Sequence, residues 1–192
     1  MSEKGHDVHY LANSYMGATL KKAVLEDGTE FNYHIYGELQ HAYFMNTIEQ
    51  QLKEIKADVL FILLDTFMLM PHLLNKDLSP AKTIFWFPSD GGNGLPNGCE
   101  QILKKVDIPV AMAKFGQKQV KDYHGLNVKH IPHGLNRDIF YPLAEDSKIL
   151  LRRKYGLEGK FVIGVVARNQ PRKMLDRTFK ILMGDFVTET NG

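Results

Sequence analysis

The chain has 192 residues, of which 44% are hydrophobic and 24% charged, with a formal net charge of +2, 16 glycines and a single cysteine. Such a composition describes a folded globular chain and excludes collagen-like, disordered and membrane-spanning classes. The length suits one domain with a surplus rather than two full nucleotide-binding domains. A charge so near neutral argues against nucleic acid as a partner. The lone Cys99 excludes an internal disulfide and a cysteine-based zinc site. Ser2, Glu3, Lys4, His6 and Asp7 interrupt any apolar leader at once. The longest apolar runs, residues 59–64 and 67–70, are too short to cross a bilayer. A soluble, cytoplasmic protein is therefore expected.

In chain order, residues 7–12 (DVHYLA) read as a strand entered through Gly5, and residues 26–29 (EDGT) as a tight turn before an alternating strand at 30–36. Residues 40–56 carry Tyr43, Phe44, Ile48, Leu52 and Ile55 at helical spacing. The continuous apolar run 57–64 (ADVLFILL) predicts a strand buried on both faces of a parallel sheet. A short helix over 68–75, a strand at 82–87 (KTIFWF), a turn-rich loop at 88–98 and a helix at 100–105 follow. Next come a strand at 108–113, a helix at 116–123 and a strand at 127–131. The last elements are a helix at 147–155, a strand at 160–167 and a helix from about Leu175. This alternation predicts an open parallel α/β sheet of Rossmann-like type. Pro142 and the acids at 145 and 146 suggest a linker, dividing the chain into residues 1–143 and 144–192.

Ligands of open α/β sheets bind outside the carboxyl ends of the strands. Those ends supply Asn13, Asp65, Ser89, Asp90, Lys114, His133, Gly134, Arg168 and Asn169. Residues 145–180 hold ten basic and four acidic residues, a net of +6. Within them, residues 167–173 (ARNQPRK) follow the expected strand and precede a helix, so Arg168 and Lys173 suit a diphosphate at a helix N-terminus. The bland alternative is an exposed basic loop paired with acids such as Asp176. Gly134 in HIPHG would allow a positive φ or a close approach to ligand, and His133 can hydrogen-bond a phosphate or hydroxyl, or simply sit in a surface turn. The glycine-rich stretch 88–96 (PSDGGNGLP) is neither a Walker loop nor a dinucleotide fingerprint. There Asp90 fits either a general base or a turn cap, and Asp65 shares that ambiguity. No metal cluster is read among the eight histidines, so neither metal nor cofactor is expected.

The order of these motifs resembles the GT-B glycosyltransferases, specifically glycosyltransferase family 4 (group 1). Gly5-His6-Asp7-Val8 is similar to that family's early helix-to-strand junction. Residues 127–142 (NVKHIPHGLNRDIFYP) resemble the segment closing its N-terminal lobe, and residues 162–173 (VIGVVARNQPRK) the first strand of its C-terminal lobe. The likeness covers residues 5–186, and 17–38 match least. It implies an N-terminal lobe lacking its first strand, plus the first strand and helix of the second lobe. The implied activity is transfer of a sugar from a nucleotide-sugar donor, with retention and without metal, by a chain of little activity alone. Arg168 and Lys173 would hold the donor diphosphate, and Gly134 would lie at the interlobe cleft. Asp90 stands where many relatives have an acceptor-side histidine, and Asn136 where an aspartate is common. The acceptor, whether sugar, lipid or protein, is left open, as are peripheral membrane contact and an oligomer or complementing chain. The alternative is a non-catalytic nucleotide- or partner-binding module completed by another chain. An NAD-dependent Rossmann enzyme is disfavoured by the missing glycine fingerprint.

Overall fold

The computed structural model describes residues 4–13, 17–24, 28–38 and 47–189. It divides into two units, Met1–Gly134 and Leu135–Gly192.

The first unit begins with a three-stranded sheet of β1 (His9–Asn13), β2 (Ala18–Val24) and β3 (Glu30–Glu38), in the order β1-β3-β2. β1 runs parallel to β3, and β2 antiparallel to it. The five residues between β2 and β3 are too few for a parallel crossover, which needs about a dozen or more, so the two must form a hairpin. β2 is not expected from the sequence, because Lys21 and Lys22 break the apolar alternation of ATLKKAV. Residues 26 and 27 of the expected turn lie outside the described residues, as do residues 40–46 of the helix expected at 40–56. The remainder of that helix is α1 (Ile48–Ile55).

The second sheet is all parallel, in the order β4 (Val59–Leu63), β5 (Lys82–Phe87), β6 (Ile108–Ala111) and β7 (Lys129–His130). The crossovers carry α2 (Thr66–Leu73), α3 (Glu100–Lys105) and α4 (Lys114–His124). The fold is thus α/β, as expected, but its strands form two sheets rather than one. Strand order and sequence order coincide in the parallel sheet. Right-handed crossovers that advance in one direction place their helices on one face. The core agrees. Ile62, Phe85, Phe87 and Ala111 of the sheet cluster with Ile48 and Leu52 of α1, Leu69 and Leu73 of α2, Ile102 and Leu103 of α3, and Val120 of α4. Phe85 and Phe87 are fully buried with ring centroids 5.5 Å apart, and burial of each contributes about 1.5–3 kcal/mol.

The opposite face corrects the reading of residues 57–64 as a strand buried on both sides. Val59, Phe61 and Leu63 are 53%, 44% and 50% exposed. Beside Phe61 and Leu63 in the register lie Ile84 and Trp86. An unbroken apolar run signals burial only where a second layer exists, and here the helices supply one layer.

In the second unit, α5 (Glu145–Lys154) has Glu145 and Asp146 in its first turn and Arg152, Arg153 and Lys154 in its last, complementing the helix dipole. Lys148–Glu145 at 2.5 Å and Arg153–Glu158 at 3.0 Å are exposed pairs, worth about 0–1 kcal/mol each. A 3-10 turn (Pro171–Lys173) leads through Met174, at φ +48°, into α6 (Leu175–Glu189). The strand expected at 160–167 is absent: residues 160–170 have neither helical nor strand hydrogen bonding. A strand exists only with a neighbour to accept and donate its backbone bonds, and the unit holds no other strand among its described residues. Phe161, Val162, Ile163, Val165 and Val166 are consequently exposed. None of residues 135–184 is buried. No helix among the described residues is long and apolar enough to cross a membrane.

Candidate functional site

The carboxyl ends of β4 and β5 open into a cleft of about 300 Å³, walled by Asp65, Thr66 and Phe67 on one side and by the loop from Pro88 to Pro96 on the other. Two strands of a parallel sheet must both end here, because β4 and β5 pair in register with Leu63 beside Trp86. The chain then turns outward into α2 after β4 and into the glycine-rich loop after β5.

Asp65 occupies the N-cap position of α2 in an extended conformation, yet makes no side-chain capping bond. A cap aspartate normally accepts a free N–H of the first turn, so this half-buried carboxylate remains available to the cleft. Asp90 is exposed, and no side-chain bond engages its carboxylate among the described residues. The cleft therefore holds two carboxylates that local structure leaves unengaged, together with the Ser89 hydroxyl. Beneath it, Thr66 is 3% exposed and Cys99 1%. Burial pushes the Cys99 thiol up from its ordinary pKa, with neighbouring Thr66 opposing that only in part. Cys99 is thus a buried thiol whose surroundings favour its neutral form.

The loop is held in shape by α4. Gln119 Oε1 accepts the Gly94 N–H at 2.8 Å, and His124 Nε2 accepts the Leu95 N–H at 2.9 Å. The second bond requires an unprotonated Nε2. Leu95 is buried in the core, and Gly94 has φ +92° against Tyr123 and His124. Gly116, at the start of α4, packs so closely on Ser89 that a Cβ there would stand 2.9 Å from the Ser89 Cβ. Gln119, His124 and Gly116 shape the cleft from 22 or more residues downstream of Gly94. Nothing local to the loop in sequence signals them.

The other expected residues are dispersed. Lys114 lines a separate groove of about 390 Å³ with Gln117, Lys118, Lys121, Asp122, Leu126, Asn127 and Val128. There Lys121 donates to Asn127 Oδ1 at 2.8 Å and Gln117 to the Val128 carbonyl at 2.8 Å. Asp122 beside Lys118 raises the lysine above its usual pKa. His133 packs its ring on Trp86, centroids 4.6 Å apart, while the Trp86 N–H donates to the Ile131 carbonyl at 2.8 Å. That places His133 on the open face of the sheet, outside the residues lining the cleft. Gly134 corrects one expectation: its φ lies outside the left-handed region, and no protein atom lies within 4 Å of a Cβ built there. Asn13 ends β1 in register with Glu38 of β3, so it belongs to the other sheet.

Arg168, Asn169 and Lys173 belong to the second unit and are exposed. Lys173 closes the 3-10 turn with its N–H donated to Gln170 O at 2.9 Å. Neither Arg168 nor Lys173 has an ion-pair partner among the described residues, so the pairing with Asp176 considered above does not form.

One cluster escapes the sequence reading. Asp7, His9 and His34 each bring a potential ligand atom within 4.8 Å of the others. Its only sequence signal is Asp7-x-His9, two residues apart at the entry to β1; His34 joins His9 through the parallel pairing of β1 and β3.

Compared with known protein families, curated proteins and solved structures, the chain gives no match.

Proposed function

We propose that the protein acts in glycosyl transfer as a GT-B-type enzyme of the family 4 kind, with a Rossmann-like first lobe. The observation that carries the reading is the cleft itself. Two carboxylates free of capping duties and a serine hydroxyl converge on a glycine-rich loop outside the carboxyl ends of parallel strands, where α/β sheets bind ligands. In this reading the acceptor hydroxyl lies in the cleft and Asp90 takes its proton. The hydroxyl oxygen bonds to the donor's anomeric carbon. The bond from that carbon to the diphosphate breaks, and the nucleoside diphosphate departs with the bonding pair. Asp65 and Ser89 orient the acceptor. On the second unit taken by itself, Arg168 and Lys173 are uncommitted to internal ion pairs, and they are the residues that the resemblance assigns to a donor diphosphate. The reaction needs no metal in this scheme, and the retention implied by the resemblance requires the hydroxyl to enter on the face of the anomeric carbon from which the diphosphate leaves.

Calorimetric titration of the chain with UDP, GDP and ADP tests it. One of them should bind, and Arg168→Ala and Lys173→Ala should each weaken it at least about tenfold, as befits a charged hydrogen bond of about 1.5–3 kcal/mol. Asp90→Asn should leave that affinity unchanged and abolish transfer wherever transfer is measured. Binding of none of the three, or equal binding by both cation variants, removes the proposal.

A second reading is favoured by the exposed Phe161, Val162, Ile163, Val165 and Val166 and by the lack of any buried residue over 135–184. It makes the chain a non-catalytic module completed by another polypeptide. Hydrogen exchange across 160–170 that slows when a candidate partner is added would support this reading; exchange that stays fast would not.

A further inference from the structure

We propose that Asp7, His9 and His34 bind a divalent transition-metal ion of the zinc class, with Tyr36 as the residue that positions His9.

The geometry follows from strand pairing. His9 and His34 are direct Cα partners in the parallel β1–β3 ladder, so their side chains stand side by side on one face, one strand spacing apart. Asp7 precedes His9 by two residues and Tyr36 follows His34 by two, which returns both to that face. The observed distances bear this out. Asp7 Oδ2 is 3.1 Å from His9 Nε2, and Asp7 Oδ1 is 3.8 Å from His34 Nε2. The His9 and His34 rings stack 4.6 Å apart at 7°, and His9 Nδ1 is 2.9 Å from the Tyr36 hydroxyl. Metal–nitrogen and metal–oxygen bonds of about 2.0–2.2 Å at tetrahedral angles set neighbouring ligand atoms about 3.3–3.5 Å apart. The carboxylate-to-imidazole distances bracket that value. The parallel rings need only rotate about χ2, a broad torsion, for their lone pairs to converge. Space for that rotation exists: the Asp7 side chain is 76% exposed and that of His34 42%.

The ligand chemistry is selective. Two imidazoles and one carboxylate suit zinc, copper or nickel over calcium and magnesium, which prefer all-oxygen shells. Tyr36 supplies the outer contact that fixes a ligating histidine: with metal on Nε2, His9 keeps its single proton on Nδ1 and donates it to the Tyr36 oxygen. Three protein ligands leave a fourth position for water. The ion would add a further tie between the edge strand β1 and β3, beside their backbone pairing, the His9–His34 stack and the Tyr36 contact. This site lies on the three-stranded sheet and does not rest on the glycosyl-transfer reading.

The test uses the full chain, freed of metal with chelator. Zinc is titrated calorimetrically, and cobalt by its visible d–d absorption. One equivalent should bind saturably, with the intense visible bands of four-coordinate cobalt. His9→Ala and His34→Ala should each lose at least about 100-fold in affinity. Tyr36→Phe, which removes only the outer contact, should lose about tenfold. Asp7→Asn preserves shape and hydrogen-bonding capacity, so it keeps the sheet intact while weakening the ligand; circular dichroism confirms the fold and affinity should still drop at least about tenfold. Zinc should raise the melting temperature of the unaltered chain and leave that of the histidine variants unmoved. Absence of saturable binding overturns the proposal. So does undiminished affinity in Asp7→Asn and His34→Ala, which would mean that other surface histidines such as His6 take up the metal adventitiously.

Discussion

Replacing Gly94 by alanine probes how the cleft loop is held, because two separable costs meet at that residue. The first is conformational: Gly94 sits at φ +92°, where an L side chain costs about 1–3 kcal/mol. The second is steric. An alanine Cβ would lie 2.8 Å from the Tyr123 Cβ and 2.8 Å from His124 Nε2, where carbon atoms normally stand about 3.5–4.0 Å apart. The Tyr123 Cβ is fixed to the α4 backbone and cannot swing aside, so overpacking adds about 1–3 kcal/mol. The loop can escape only by leaving α4. That forfeits the bonds to Gln119 and His124, about 1 kcal/mol each, and the burial of Leu95, about 1.5–3 kcal/mol. Staying in place costs about 2–6 kcal/mol and detaching about 3.5–5 kcal/mol. The neighbouring glycines separate the terms. Gly92 has φ +125° and open space, whereas Gly91 has open space and a φ outside the left-handed region. Alanine at 92 should therefore cost about 1–3 kcal/mol, and alanine at 91 less than about 0.5 kcal/mol. Urea denaturation of the three variants, compared at a common m value, measures the series. Amide exchange at Gly94 and Leu95 reports whether the loop has detached. Equal costs at 92 and 94 would refute the steric part of the argument, and a cost at 91 matching that at 92 would refute the conformational part.

Acid should weaken the fold through three carboxylates held below their usual range. Glu49 is lowered by the Asp77 backbone N–H and by Lys76, Asp77 by the Ser79 hydroxyl and N–H, and Asp107 by the Thr83 N–H and Lys82. Depressed folded values mean stability that is complete above the ordinary carboxylate range and is lost as pH falls through the folded values. Melting temperature should hold steady down to about pH 5 and decline below about pH 4, with a shallower decline in Asp107→Asn; an identical slope in that variant would exclude Asp107 as a contributor. Cys99, neutral and 1% exposed beneath the cleft, should react with a thiol reagent on the order of 100-fold more slowly in buffer than in denaturing urea. Rapid labelling of the folded chain would show that the cleft floor opens.

Composition and periodicity by themselves determine much of the first unit. Alternation in KTIFWF places Phe85 and Phe87 on one face, and Gly125 stops α4 in the left-handed conformation that favours glycine. Polar residues just past β4 and β5 locate the cleft, because strand ends and turn residues are local properties of the chain. Tertiary structure decided what depends on partners distant in sequence. Pairing of β3 with both β1 and β2 split the strands into two sheets and brought His34 to Asp7 and His9. Crossovers advancing in one direction left Val59, Phe61 and Leu63 on an open face, although their apolar run resembles a strand covered on both sides. At 160–167 the pattern of a strand is present but no neighbour completes its hydrogen bonds. The anchoring of the glycine-rich loop by Gln119 and His124 was equally invisible, for it rests on two backbone N–H groups reaching side chains 25 and 29 residues away. Hydrophobic pattern encodes which residues seek burial; which surface receives them is set only when the elements meet.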